Sequence, residues 1–121
     1  MANILIVEDE RDIAEVLAEL LAGAGHRTRT AADGFQGLRN VAEEVPDLIL
    51  LDLQMPVLDG LGMLRALSIE YEGRPRIPVV LISASHRLPT IARRLGLSYL
   101  QKPLRVADVI RLATEILGAA R

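Results

Sequence analysis

Asp47-Leu48-Ile49-Leu50-Leu51-Asp52 is the stretch on which the reading of this chain turns. Four consecutive apolar residues read as a strand buried on both faces, the hallmark of a parallel sheet, and a carboxylate closes it. Charged side chains are almost never fully buried unless paired. Asp52 is therefore either a strand-end cap or the reactive group of a site, and its neighbours in sequence do not decide between the two.

Two other runs share this form. Asn3-Ile4-Leu5-Ile6-Val7 ends at Glu8-Asp9-Glu10, and Ile77-Pro78-Val79-Val80-Leu81-Ile82 ends at Ser83. Between the strands the period changes to three and four. Ile13, Val16, Leu17, Leu20, Leu21 and Ala24 make one helical stripe, with Gly25 as its C-terminal cap. Phe35, Leu38, Val41, Ala42 and Val45 make a second, ended by Pro46; Gly37 within it costs about 1 kcal/mol relative to Ala, for which close helix–sheet packing is one reason. A third helix is expected from about Gly60 to Ile69, with Leu61, Leu64 and Leu67 inward. Ala84 to Leu95 reads as a weak helix, because Pro89 fits only in a first turn. Val106, Val109, Ile110, Ala113, Ile116 and Leu117 define the last helix. Residues near Arg29 and Tyr99 form polar strands suited to sheet edges, and Glu72 to Arg76 reads as a solvated loop.

Five strand–helix units in strict alternation imply an α/β fold, a five-stranded parallel sheet with helices on both faces. Placing apolar strands centrally and polar ones at the edges gives the order 2-1-3-4-5, the flavodoxin-like arrangement. The 121 residues fit one domain spanning 1–121. With one Phe, two Tyr and no Trp, the core must be aliphatic; with no Cys, disulfides and thiolate metal sites are excluded. A net charge of −2 supplies no field for nucleic acid or an anionic membrane. No apolar run approaches membrane-spanning length, and the start lacks a signal-peptide pattern, so a cytoplasmic location is expected.

Ligands of such sheets bind outside the carboxyl ends of the strands. There this chain places Glu8 and Asp9, Asp52, Ser83 and Lys102. Two carboxylates about 5 Å apart repel by roughly 3 kcal/mol at an effective dielectric near 20, so three together need a cation or raised pKa values. An all-oxygen site suits Mg²⁺, and the lack of Cys or nearby His argues against Zn²⁺. Lys102 adds a point charge and Ser83 a hydroxyl, giving an electrophilic cradle around a carboxylate nucleophile, as phosphoryl transfer requires.

These residues resemble the motifs of response-regulator receiver domains. Glu8-Asp9 is similar to their acidic pair and Asp52-Leu53-Gln54-Met55-Pro56-Val57-Leu58-Asp59-Gly60 to their phosphoacceptor loop; Ser83-Ala84 and Tyr99…Lys102-Pro103 complete the pattern, in order and along essentially the whole chain. The resemblance implies a chemotaxis-regulator-like single domain of two-component signalling. By that resemblance it would be a phosphoacceptor rather than a classical enzyme, catalysing only its own phosphorylation and dephosphorylation. Asp52 would be the phosphorylated residue, with Ser83 and Lys102 contacting the phosphoryl group. Asp9, Asp52 and the backbone carbonyl of Gln54 would hold Mg²⁺, Glu8 acting through water. Ser83 and Tyr99 would be the switch pair, and the Lys102–Pro103 bond would be cis. The implied partners are a sensor histidine kinase or a histidine phosphotransfer protein and a downstream protein target, with no direct nucleic-acid or membrane contact, for a monomer or weak homodimer.

The chain also departs from that pattern. Ser83 and Lys102 are 19 positions apart (102 − 83), short of the family's usual spacing by about three residues, nearly one helical turn. The fourth helix is therefore expected to be short, displaced or poorly ordered. Gln54 and Ser85, at positions that tune attack by water, are not acidic, which predicts slow self-dephosphorylation. Three other functions compete. A haloacid-dehalogenase-type phosphohydrolase needs an acid at position 54, which is Gln. A flavodoxin-like FMN binder needs a phosphate cradle where this chain has acids. A phosphorylation-independent receiver-like binding module remains compatible with the short helix.

Overall fold

The computed structural model describes residues 2–55, 58–70 and 76–119. Pro56, Val57 and most of the loop expected at 72–76 lie outside the described residues. The elements alternate without exception: β1 (Asn3–Val7), α1 (Arg11–Gly23), β2 (Arg27–Ala31), α2 (Gly34–Glu43), β3 (Leu48–Asp52), α3 (Gly60–Glu70), β4 (Val79–Ser83), α4 (Leu88–Leu95), β5 (Ser98–Gln101) and α5 (Val106–Ala119). All pairings are parallel and the strand order is 2-1-3-4-5. β1, β3 and β4 are buried along their whole length, whereas β2 and β5 are largely exposed edges.

Side chains of a strand alternate between faces, so each central strand feeds two cores. Ile4, Ile6, Leu48, Leu50, Val80 and Ile82 pack against Leu17 and Leu21 of α1 and Val109, Ala113 and Leu117 of α5. The intervening Leu5, Val7, Ile49, Leu51 and Leu81 pack against Val41 of α2, Met63 and Leu67 of α3 and Leu88 and Ala92 of α4. No helix among the described residues is long and apolar enough to cross a membrane.

The helix faces differ in detail from the apolar stripes. Val16, Phe35, Val45, Leu61 and Val106 are exposed. In α3 the buried set is Gly60, Met63 and Leu67, and in α2 it is Gly34, Gly37 and Val41. Both follow the spacing 0, 3, 7 from a glycine, so close approach at the glycine sets the phase of the helix. A Cβ on Gly60 would lie 2.6 Å from the Asp52 carbonyl oxygen and 2.9 Å from Leu53 Cα. One on Gly37 would lie 2.8 Å from Met63 Sδ and 3.2 Å from a Val7 methyl, which is the close packing expected there. Leu61, one residue past Gly60, is thereby turned off the sheet.

α4 has eight residues, with Pro89 in its first turn and Gly96 (φ 69°) as a left-handed cap. The fourth helix is thus short, as expected. At the opposite end of the sheet Arg29 ties the polar edge strand to α2, donating to the carbonyls of Asn40 (2.8 Å) and Glu44 (2.6 Å). Arg27 pairs with the Glu44 carboxylate at 2.7 Å.

The two ends of the glycine range predict opposite outcomes. Gly60→Ala should lose about 1–3 kcal/mol in urea unfolding, because the new methyl meets backbone that cannot yield. Gly118→Ala, in α5 with no atom within 4 Å of its Cβ position, should gain up to about 1 kcal/mol. Equal midpoints for the two would show that glycine packing does not set the α3 phase.

Candidate functional site

Parallel register brings the strand ends to one edge: Val7 lies opposite Leu51, Asp52 opposite Ile82, and Ser83 opposite Gln101. Glu8, directly after β1, is held there by its own N–H, which donates to the Ala31 carbonyl at 2.9 Å. Its side chain is buried, as are those of Asp52 and Ser83, whereas Asp9 is exposed. Each of Glu8, Asp9 and Asp52 offers a carboxylate oxygen within 4.8 Å of the others.

One ammonium serves this cluster. Lys102 Nζ lies 2.7 Å from Glu8 Oε1, 3.4 Å from Glu10 Oε1 and 3.5 Å from Asp52 Oδ2. Its main-chain N–H donates to the Ser83 carbonyl at 2.9 Å, which anchors the base of the side chain to the end of β4. The Lys102–Pro103 bond that follows is cis. Burial works against the charge on Lys102, but Glu8, Asp52 and Glu10 outweigh it and raise its pKa above the ordinary lysine value.

Asp52 Oδ1 accepts from the Gln54 N–H at 3.1 Å, so the loop after β3 turns back over the carboxylate. Ser83 Oγ accepts from the Ser85 N–H at 3.1 Å, which leaves its proton free to donate. Tyr99 is not part of the cluster; it stands half-exposed on β5.

Two contributors escaped the sequence reading. Glu10, taken there only as part of the acidic run, is a partner of Lys102, and its signal was adjacency to the acid pair. Gln101 donates from Nε2 to the Ser85 carbonyl at 3.0 Å, clamping the β4–α4 loop to β5; nothing in the sequence marks that bond.

Residues 4–114 match the response regulator receiver domain family. The chain belongs to that family. It is 34% identical over 113 residues to the DNA-binding response regulator MtrA of Mycobacterium tuberculosis, covering 89% of this chain and 47% of that protein. It is 36% identical over 122 residues to the transcriptional regulatory protein ZraR of Klebsiella oxytoca, covering 98% of this chain and 27% of that one. The crystal structure of the receiver domain of NtrX from Brucella abortus superposes with a TM-score of 0.85 at 33% identity, covering 95% of this chain and 98% of that domain. The chain thus spans less than half the length of these curated relatives.

Receiver domains bind Mg²⁺ at an acidic cluster, and the residues of this one fit that ion. The donors are all oxygens, suited to a hard cation. Glu8 Oε2 is buried with no hydrogen-bond partner, an orphaned acceptor of the kind that calls for a cation or its water. Burial raises the Glu8 pKa from 4.5 to about 8, with Asp52 adding to the rise and Lys102 opposing it. Burial and the Asp52 carboxylate raise Asp9 as well.

Between about pH 4.5 and 8 the folded metal-free protein holds a proton on Glu8 that the unfolded chain has released. Stability then falls as pH rises through that window. The thermal midpoint of wild type in EDTA should fall relative to Glu8→Gln from pH 5 to pH 8. A constant difference between the two curves would show that Glu8 is not the titrating group.

Proposed function

We propose that this receiver domain accepts a phosphoryl group on Asp52 from a sensor histidine kinase or a histidine phosphotransfer protein. The observation that carries the reading is the buried Asp52 carboxylate with the ammonium of Lys102 at 3.5 Å. That is a nucleophile beside the charge a phosphoryl oxygen needs. One Asp52 oxygen attacks phosphorus in line; the new O–P bond forms as the imidazole N–P bond breaks, and the donor histidine leaves. Lys102 transfers its contact from the acids to a phosphoryl oxygen, and the Ser83 hydroxyl donates to another. Asp9, Asp52 and the Gln54 carbonyl would hold Mg²⁺, with Glu8 acting through water. When bound, the ion supplies positive charge to the phosphoryl oxygens.

Incubation with acetyl phosphate and Mg²⁺ should add one phosphate to the intact mass of wild type and none to Asp52→Asn. An adduct that survives in Asp52→Asn would place the phosphate elsewhere. The adduct should persist for minutes, because Gln54 and Ser85, the flanking residues read as tuning attack by water, are not acidic. The Ser85 hydroxyl accepts from the Arg87 N–H at 3.1 Å. A half-life of seconds would refute that.

The donor has a surface to dock on. An apolar groove of about 340 Å³ between α1 and α5 is lined by Ile13, Val16, Leu17, Leu20, Val106 and Val109. Lys102 and Pro103 form part of its wall, so a donor helix seated there stands beside the phosphoacceptor. Val16 and Val106 are half-exposed in it. Val16→Glu with Val106→Glu should slow transfer from the kinase tenfold or more and leave phosphorylation by acetyl phosphate unchanged. A parallel loss with both donors would mean that the change acts on the site itself.

The output reading is switching of protein–protein contacts as Ser83 and Tyr99 respond to the phosphoryl group. Named relatives are DNA-binding regulators, but the net charge of −2 gives these residues no footprint for nucleic acid.

A further inference from the structure

Gly34 opens α2 on the far side of β1 from Lys102, yet it touches the loop that follows Asp52. Its N–H donates to the Leu58 carbonyl at 3.0 Å. A Cβ on Gly34 would lie 2.6 Å from that same oxygen, 2.9 Å from Leu58 Cγ and 3.0 Å from Leu58 Cβ. The carbonyl is main chain and cannot rotate aside, so any larger residue must push the loop away. Apart from that contact, the first turn of α2 carries its own cap: Asp33 Oδ1 accepts from the Gln36 N–H at 2.9 Å and Gln36 Oε1 accepts from the Ala32 N–H at 3.1 Å.

The loop has other attachments. At its start Leu53 N–H donates to the Ile82 carbonyl of β4 at 3.0 Å, and Asp52 Oδ1 accepts from Gln54 N–H. At its end Gly60 N–H donates to the Leu53 carbonyl at 3.3 Å. The Gly34 contact adds a tie from Leu58 to α2. Groups that bind an ion or align a reacting atom must be held within about 0.5 Å.

We propose that Gly34 is a positioning residue for phosphoryl transfer: by approaching Leu58 as only a residue without Cβ can, it fixes Leu58, four positions after the Gln54 whose carbonyl would complete the Mg²⁺ site. This rests on the reading of Asp52 and its loop given above.

The test compares Gly34→Ala with Asp33→Ala, which removes the α2 cap and leaves the Leu58 contact. Mg²⁺ alone is titrated by calorimetry, and phosphate uptake from acetyl phosphate is followed by intact mass. Gly34→Ala should weaken Mg²⁺ binding fivefold or more and slow uptake most at low Mg²⁺, with recovery as Mg²⁺ rises. Asp33→Ala should lower the thermal midpoint and leave both within twofold. Wild-type behaviour of folded Gly34→Ala, or an equal loss in Asp33→Ala, would overturn the proposal.

Amide exchange of the wild type serves where Gly34→Ala does not fold. Saturating Mg²⁺ should slow exchange at the Gly34 N–H at least threefold more than at the Gln36 N–H; equal changes would overturn the proposal. Absence of both Mg²⁺ binding and a phosphate adduct in wild type would bring down the phosphoacceptor reading itself. An adduct with an indifferent Gly34 would bring down this inference alone.

Discussion

The ammonium of Lys102 is the interaction on which the site depends. It lies within 3.5 Å of carboxylate oxygens from Glu8, Glu10 and Asp52, two of them buried. A buried carboxylate without a counter-charge is costly, and removing one partner of a buried pair typically costs about 3–5 kcal/mol. One lysine cannot neutralise three acids and the neighbouring Asp9. Burial and the Asp52 carboxylate raise the Glu8 pKa to about 8, the direction expected of a cluster short of positive charge. A divalent cation and a phosphoryl group, taken together, fit that deficit.

The sheet makes this economy possible. Parallel strands end on one edge, and the three apolar strands each run out at a polar residue within one or two positions of the same level. Their interiors are closed on both faces by aliphatic side chains, so the edge is where polar groups can gather without burying unsatisfied backbone. Packing then reaches the chemistry through glycines. Gly60 lies against the carbonyl of Asp52 itself, so the helix that begins there and the carboxylate that precedes it share one backbone constraint.

Much of this is written in local patterns. The apolar runs ending at Val7, Leu51 and Ile82 announce central strands, and their polar terminators announce Glu8, Asp52 and Ser83, because burial on both faces leaves a continuous signature in sequence. Leu61 and Val16 were misplaced for a physical reason: a stripe of apolar residues spans a wider arc than a helix lying on a sheet can bury. The phase within that arc is set by backbone approach at Gly60, whose role a hydrophobicity pattern does not record. The bonds from Gln101 to Ser85 and from Gly34 to Leu58 join residues 16 and 24 positions apart, each with a main-chain carbonyl that every residue carries as its acceptor. No composition or spacing marks them, and only the fold brings them together.

The stretch after Ser83 shows how a short helix near the site is held. An eight-residue helix closes few internal bonds and leaves most of its end groups to be met from outside. Here its entry hangs on Ser85, which donates to Ser83 Oγ, accepts from Arg87 N–H and receives Gln101 Nε2 on its carbonyl. Its exit is closed by Gly96, with Leu97 N–H donating to the Ala92 carbonyl at 2.9 Å. Side chains two apart on a strand share a face, so Gln101 and Tyr99 stand on the same side of β5. Ser85 thus ties the Ser83 hydroxyl to the start of α4 through Arg87 and to β5 through Gln101.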